Sequence, residues 1–251
     1  MAYRKVEGKY SLVQLSVPKA IARTVYKSCV PKWLRGQVEE FRYRRYKRWH
    51  EDPEYSLREY VERKCVFVHI PKTGGVSVSH ALFGGRSGGH MTYRDYQRVL
   101  GKRQVRRSFS FAFVRNPWDR LVSAYEFLKK GGMNDDDKLW ADRQLAGFST
   151  FEQFVEEWVN EENVRKGVHF KPQADFVWDD SRDVAVDFVG KFERFEEDFN
   201  EVLAALGVAS SLPHLNKSHR RSYIDCYSSR TEQIVARVYR SDIELFGYSF
   251  R

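Results

Sequence analysis

The sequence predicts an α/β fold, a P-loop-like parallel sheet flanked by helices, and three observations carry that prediction. From Val61 onward short apolar runs alternate with amphipathic helical stretches. Two of the runs end in a tight turn that opens directly into a helix. The turns hold glycine, proline and cations rather than apolar residues. A sheet of this kind takes its ligands beyond the carboxyl ends of its strands.

The elements follow in order. Residues 1–60 read as a basic, partly helical appendage that ends near Asp52-Pro53, and residues 61–251 as the α/β domain. Val66 to Ile70 is a short apolar strand. Val76 to Phe83 is a helix, stopped by the glycine-rich run from Gly84 to Gly89. Thr92 to Leu100 is a second helix with Gly101 as its stop. Ser108 to Val114 is the next strand, and Arg115-Asn116-Pro117 turns the chain. Pro117 suits the first helical position, where its missing N–H costs nothing. Leu121, Val122, Tyr125 and Leu128 form the apolar stripe of that helix, which ends at Lys129-Lys130-Gly131-Gly132. Phe151 to Val159 is an amphipathic helix, Val184 to Val189 a strand, and Phe195 to Leu206 a helix stopped by Gly207. Ser229-Arg230-Thr231-Glu232 reads as a capping box that opens the last helix. Asp135, Asp136 and Asp137 lack the alternate spacing and glycine of a calcium loop, so they read as a solvated surface loop, with no metal expected.

The loop after the first strand is the most informative stretch. Cys65-Val66-Phe67-Val68-His69-Ile70-Pro71-Lys72-Thr73-Gly74-Gly75-Val76-Ser77 runs from buried strand to helix start. Adjacent glycines let backbone amides approach an oxyanion, the helix N-terminus adds partial positive charge, and Lys72 adds a full one. No Gly-x-x-x-x-Gly-Lys-Ser/Thr pattern occurs, which argues against an ordinary nucleoside triphosphate. The second strand–turn–helix unit presents Arg115 and, two helical turns on, Ser123. Arg115 offers a planar fork to phosphate. Ser123 offers a neutral donor, although close helix packing also selects a small residue there. A nucleotide with phosphates at both ends of its ribose needs two such anion sites, and both should face one crevice.

Charge narrows the function classes. The net charge of +9 is concentrated in residues 1–64, with 16 Lys+Arg against 8 Asp+Glu; the rest carries 27 against 26. The body therefore has no global basic field, and no nucleic-acid partner is expected for it. The basic, aromatic run Phe41 to His50 suits an anionic membrane surface or a nucleic acid, or else a solvated helix face with its aromatics packed inward. Three cysteines, Cys29, Cys65 and Cys226, show neither a disulfide framework nor zinc spacing. The most apolar candidate span, Ser11 to Pro31, is broken by Pro18, Lys19, Arg23 and Lys27. No signal peptide or transmembrane span is expected.

Two motifs in this order, His69-Ile70-Pro71-Lys72-Thr73-Gly74-Gly75 and Phe113 to Tyr125 (FVRNPWDRLVSAY), resemble those of sulfotransferases that use 3′-phosphoadenosine 5′-phosphosulfate (PAPS). The resemblance runs from about Val61 to Phe250. It is closest to the membrane-associated carbohydrate branch, which includes the heparan sulfate 2-O-sulfotransferases. It implies that Lys72 contacts the transferring group and its bridging oxygen. Thr73, Gly74, Gly75, Val76 and Ser77 would cradle the 5′-phosphate, and Arg115 and Ser123 would bind the 3′-phosphate. Gly89-His90-Met91-Thr92-Tyr93 resembles a segment whose histidine is the base in that branch, which points to His90 among the seven histidines. His69 reads as core and His80 as structural. Val168 to Gln173 resembles an acceptor-side segment, so His169, Lys171 and Gln173 are candidates to bind acceptor. The basic loop Leu215 to Arg221 supplies Lys217, Ser218 and Arg220 as candidates to close over the 3′-phosphate, a solvated loop being the alternative.

The expected activity is sulfuryl transfer from PAPS to a hydroxyl, most plausibly on a carbohydrate. With no anchor read in this sequence, a cytoplasmic enzyme that can touch a membrane surface through its basic segment is the expectation. The rivals are a P-loop kinase using ATP, for which no convincing magnesium aspartate is found, and a basic binding protein that keeps the nucleotide fold without turnover.

Overall fold

The computed structural model describes residues 3–6, 9–12, 31, 56–85, 88–179, 181, 183–211 and 222–251. The chain divides into two compact units, Met1–Tyr46 and Lys47–Arg251. In the first, strands β1 (Tyr3–Val6) and β2 (Lys9–Leu12) pair antiparallel, with Tyr3 opposite Leu12. The basic, aromatic run at 41–50 lies outside the described residues.

The second unit is the α/β fold that the alternation predicts. Its sheet holds three parallel strands in the order β3 (Cys65–Val68), β4 (Phe109–Val114), β5 (Phe188–Lys191). Val66 stands opposite Ser110, and Ala112 opposite Val189. All four residues of β3 are buried. Parallel strands covered on both faces read as continuous apolar runs, as this one does. The helix α1 (Arg58–Glu62) precedes β3, and Leu57 and Tyr60 are fully buried in the core beside the sheet. The α/β unit therefore reaches upstream of the expected start at residue 61.

The crossover from β3 to β4 carries α2 (Gly75–Phe83), α3 (Tyr93–Leu100) and α4 (Lys102–Val105). Thr92 caps α3 in a capping box with Asp95. The crossover from β4 to β5 is longer, with α5 (Pro117–Lys129), α6 (Asp135–Gln144), α7 (Phe151–Glu157) and α8 (Ala174–Val177). After β5 come α9 (Phe195–Leu206), α10 (Ser229–Val238) and α11 (Arg240–Phe246). Two apolar clusters result. One surrounds the sheet and includes Phe67, Phe111, Phe113 and Phe199. The other packs Trp118, Leu121 and Tyr125 of α5 against Phe154, Trp158, Phe170 and Tyr239. Each such ring contributes roughly 1.5–3 kcal/mol when fully buried.

Three expectations shift. The third strand lies at Phe188–Lys191 rather than Val184–Val189. Val184 instead forms an isolated antiparallel bridge with Trp178, and the Asp187 carboxylate accepts both the Ser110 N–H and hydroxyl at 2.7 Å. The last capping box starts one residue earlier, at Ser228 with Thr231, and α11 follows the helix that it opens. Asp135 to Asp137 open α6 instead of forming a loop. Asn134 is the N-cap, and three carboxylates in the first turn complement the positive helix end. Among the described residues no helix is long and apolar enough to cross a membrane.

Candidate active site

The two strand–turn–helix units meet at the carboxyl ends of β3 and β4. Pro71, Lys72, Thr73 and Gly74 connect β3 to α2. Two of these residues take the left-handed backbone region, Lys72 at φ 69° and Gly74 at φ 83°. A side chain at Gly74 would stand 2.7 Å from the Phe195 ring, and one at Gly75 would collide with the His69 imidazole. Gly74 is thus required by close approach and by backbone freedom, and Gly75 by close approach. The loop opens a cavity of about 340 Å³.

Lys72, Gly74, Gly75, Val76, Ser77, His90 and His169 all line this cavity. The Lys72 ammonium lies 3.9 Å from the centre of the Phe127 ring, an aromatic face that favours the cation. Thr73 is fully buried, its hydroxyl donates to the Ile70 carbonyl at 2.9 Å, and it does not line the cavity. His69, read from sequence as core, lines the cavity instead: its ring stacks on Phe67 and meets His90 edge-on at 4.5 Å. The reason is the absent Cβ at Gly75, which leaves the ring its place. His80 is exposed on α2.

His90 is held by a hydrogen bond between its Nδ1 and the His69 carbonyl at 3.0 Å. A carbonyl only accepts, so Nδ1 carries the proton and Nε2 carries the bare lone pair. Surrounding protein pushes the His90 pKa down to about 4, and the hydrogen bond to His69 opposes this. Desolvation is the largest cause, and the lowered pKa leaves a neutral imidazole at neutral pH. Burial, reinforced by His90 and His169, holds His69 well below the ordinary histidine range.

On the far wall, His169 Nε2 lies 3.1 Å from Asp137 Oδ1, with both side chains largely buried. Burial would raise the Asp137 pKa. Hydrogen bonds from His169 and the Met133 N–H outweigh it, so the carboxyl sits below its ordinary value. Phe127, Met133 and Asn134 complete this wall. Among the described residues no group of three or more His, Cys, Asp or Glu side chains is placed to hold a metal ion.

Arg115, Ser123, Lys171 and Gln173 do not line the cavity. The Arg115 guanidinium pairs with Asp119 at 2.6 Å, donates to the Lys72 carbonyl at 3.2 Å and lies over the Phe192 ring. It thus sits directly behind the lysine loop. Ser123 is half-buried on α5. The Lys171 ammonium lies 5.3 Å from the Phe176 ring centre. Gln173 is fully buried, and its amide joins both the N–H and C=O of Arg115 while contacting Asp242. That burial removes it from acceptor binding; it fixes the turn after β4 from below. Lys217, Ser218 and Arg220 lie outside the described residues.

Sequence reasoning passed over two residues that organise the site. Arg120 is almost fully buried, and its guanidinium donates to the carbonyls of Pro71 at 3.0 Å, His169 at 3.2 Å and Lys171 at 2.9 Å. It clamps the lysine loop to the histidine segment. The signal was present: Arg120, Ala124 and Leu128 share one face at i, i+4 and i+8, and an arginine on an apolar face needs partners. Asp137 had a weaker signal in its place three residues after a potential Asn134 cap.

No curated protein and no solved structure matches the chain. The model of the sulfotransferase family matches residues 61–249, spanning both strand–turn–helix units and the cavity between them, and the chain belongs to that family.

Proposed function

We propose that this protein transfers a sulfuryl group from PAPS to a hydroxyl, on a carbohydrate acceptor, with His90 as the general base. The observation that carries this reading is the His90 tautomer. Its Nδ1–H is committed to the His69 carbonyl, so a bare Nε2 stands in the same cavity as Lys72 and the glycine cradle. A base needs that lone pair within reach of the acceptor proton.

The transfer is an in-line displacement. The acceptor O–H gives its proton to His90 Nε2 while its oxygen bonds to sulfur, and the bond from sulfur to the bridging phosphate oxygen breaks. Negative charge then grows on that bridging oxygen, where the Lys72 ammonium stabilises it. Backbone amides from Thr73 to Val76 would hold the 5′-phosphate at the start of α2, with Ser77 adding its hydroxyl, since its N–H already donates to the Gly74 carbonyl at 3.0 Å. Arg115 and Ser123 would serve the 3′-phosphate, with Lys217, Ser218 and Arg220 closing over it. The glycan reading rests on the resemblance of the sequence motifs. The net charge of +8 in residues 1–64 would draw in an acidic glycan or an anionic membrane surface.

Thermal-shift measurements test the donor. Adenosine 3′,5′-bisphosphate should raise the melting temperature and ATP should not. Stabilisation by ATP alone would point to the kinase reading. Labelled PAPS incubated with neutral and acidic glycans, lipids and simple alcohols tests the acceptor; label on a lipid or alcohol but on no glycan would reject the carbohydrate assignment.

A further inference from the structure

The proposed chemistry uses His90 and Lys72 and leaves the opposite wall of the cavity without a task. That wall is built with more care than packing requires. The Asp137 backbone N–H donates to the Asn134 side chain at 2.9 Å, which fixes where its carboxylate starts. Its Oδ2 accepts the Met133 N–H at 3.0 Å, and its Oδ1 faces His169 Nε2 at 3.1 Å. Gly132, at φ 68°, leaves the space beside it: a Cβ there would collide with the Asp137 side chain. The carboxylate is therefore held from three directions and presented to one imidazole.

An ionised carboxylate only accepts hydrogen bonds, so His169 Nε2 carries a proton in this pair. The other ring nitrogen is then the one left to act. His169 Nδ1 is buried and has no hydrogen-bond partner. A buried polar atom without a partner costs about 1–3 kcal/mol, and such an atom in a cavity wall calls for a role. The His90 ring stands 5.8 Å away, edge-on, and the Phe127 ring 5.2 Å away on another side.

We propose that Asp137 is a positioning residue: it fixes His169 as the Nε2–H tautomer and so leaves a bare Nδ1 on the ring whose centre lies 5.8 Å from that of His90. Its consequence for turnover rests on the sulfotransferase reading above. When His90 Nε2 takes the acceptor proton, the O–H bond is replaced by an N–H bond on His90. The Asp137 carboxylate, whose charge favours the protonated ring, and the neutral His169 that it fixes stabilise that imidazolium. The exposed His90 then gives the proton to solvent and returns to its neutral form for the next acceptor.

Asp137→Asn tests this with unusual directness. The Met133 N–H can only donate, so the single amide oxygen of Asn must stay on Met133. The new NH₂ group must then face His169, which forces Nε2 to accept and moves the proton to Nδ1. Ring ¹⁵N shifts of the full chain, measured at pH of about 8.5, above the ordinary histidine range, should report Nε2–H for His169 in the wild type and Nδ1–H in the variant. Affinity for adenosine 3′,5′-bisphosphate should stay within twofold. The kcat for label transfer from PAPS to the acceptor found with the wild type should fall at least tenfold. Gly132→Ala, which displaces Asp137 instead of changing it, should also abolish the fixed tautomer. An unchanged His169 tautomer overturns the proposal, and so does an inverted tautomer with unchanged kcat. A wild type that transfers label to no acceptor would sink the sulfotransferase reading, while the ¹⁵N measurement still decides the role of Asp137.

Discussion

The two walls of the cavity are held in different ways. The proposed donor wall, from Pro71 to Ser77 with Arg115 behind it, is secured through the backbone. Arg120 holds the Pro71 carbonyl, Arg115 holds the Lys72 carbonyl, and Gln173 holds the peptide of Arg115. Asp242, fully buried, accepts the N–H groups of Gln173 and Ala174 beneath them. The proposed acceptor wall is tied through its backbone at His169 and Lys171 by Arg120, and its face rests on one side-chain pair, Asp137 with His169, and on apolar groups at its rim: Met133 is 51% exposed and Val168 38%. A wall fixed through many backbone contacts resists change, whereas a wall faced by a single side-chain pair can be rewritten by substitution.

That contrast predicts that changes on the two walls separate binding from transfer. The largest effect belongs to His90→Ala, which removes the proposed base and leaves the proposed donor wall intact. Transfer should fall by roughly 10²- to 10⁴-fold, with affinity for adenosine 3′,5′-bisphosphate unchanged. Full residual activity would remove His90 from the chemistry. Arg120→Met comes next and breaks the contrast itself, because this one guanidinium ties the walls together. It leaves three carbonyls without their donor, that of Pro71 buried and those of His169 and Lys171 partly buried, and a fully buried orphaned group costs about 1–3 kcal/mol. Urea denaturation should show a loss of at least ~3 kcal/mol, together with weaker nucleotide binding. A variant of wild-type stability would mean that water replaces the clamp.

The same contrast explains what could be read from the sequence. The α/β class, the two strand ends and the helix starts at Gly75 and Pro117 are local signals: apolar runs, turn residues and one proline in its favoured place. The family motifs mark the donor wall because that wall is continuous in sequence. His69, Arg120, Gln173 and Asp137 could not be placed this way, since their roles depend on contacts 21 to 69 residues away. Gln173 illustrates the limit. Its position in the sequence suggested the acceptor, yet the fold turns its amide onto Arg115 and Asp242. Val184 to Val189 shows the same limit for a strand, because Asp187 and Trp178 decide where pairing begins.

Gly75→Ala is a smaller perturbation that sharpens the boundary between the walls. The added Cβ meets the His69 ring, which in turn supports His90 through its carbonyl and its ring. Overpacking of this kind costs typically 1–3 kcal/mol. Nucleotide affinity and transfer should both decline, since the cradle and the base share this contact. A decline confined to nucleotide binding would show that the His69 ring yields without moving His90.

The smallest effect is in the pH dependence of stability. Burial lowers the pKa of both His69 and His90 in the folded protein, His90 to about 4, whereas an unfolded histidine titrates near ~6.5. Below that unfolded value the unfolded chain binds protons that the folded chain refuses, so stability falls as pH falls. The contribution is fully present above pH ~6.5 and is lost through the window down to the folded values. One completely refused proton gives a slope of about 1.4 kcal/mol per pH unit; His90, exposed at the cavity mouth, should contribute less than that. His69→Gln removes one of the two groups and should flatten the slope of stability between pH 6.5 and 5 in denaturation experiments. A slope unchanged by that substitution would assign the acid sensitivity to groups away from the cavity.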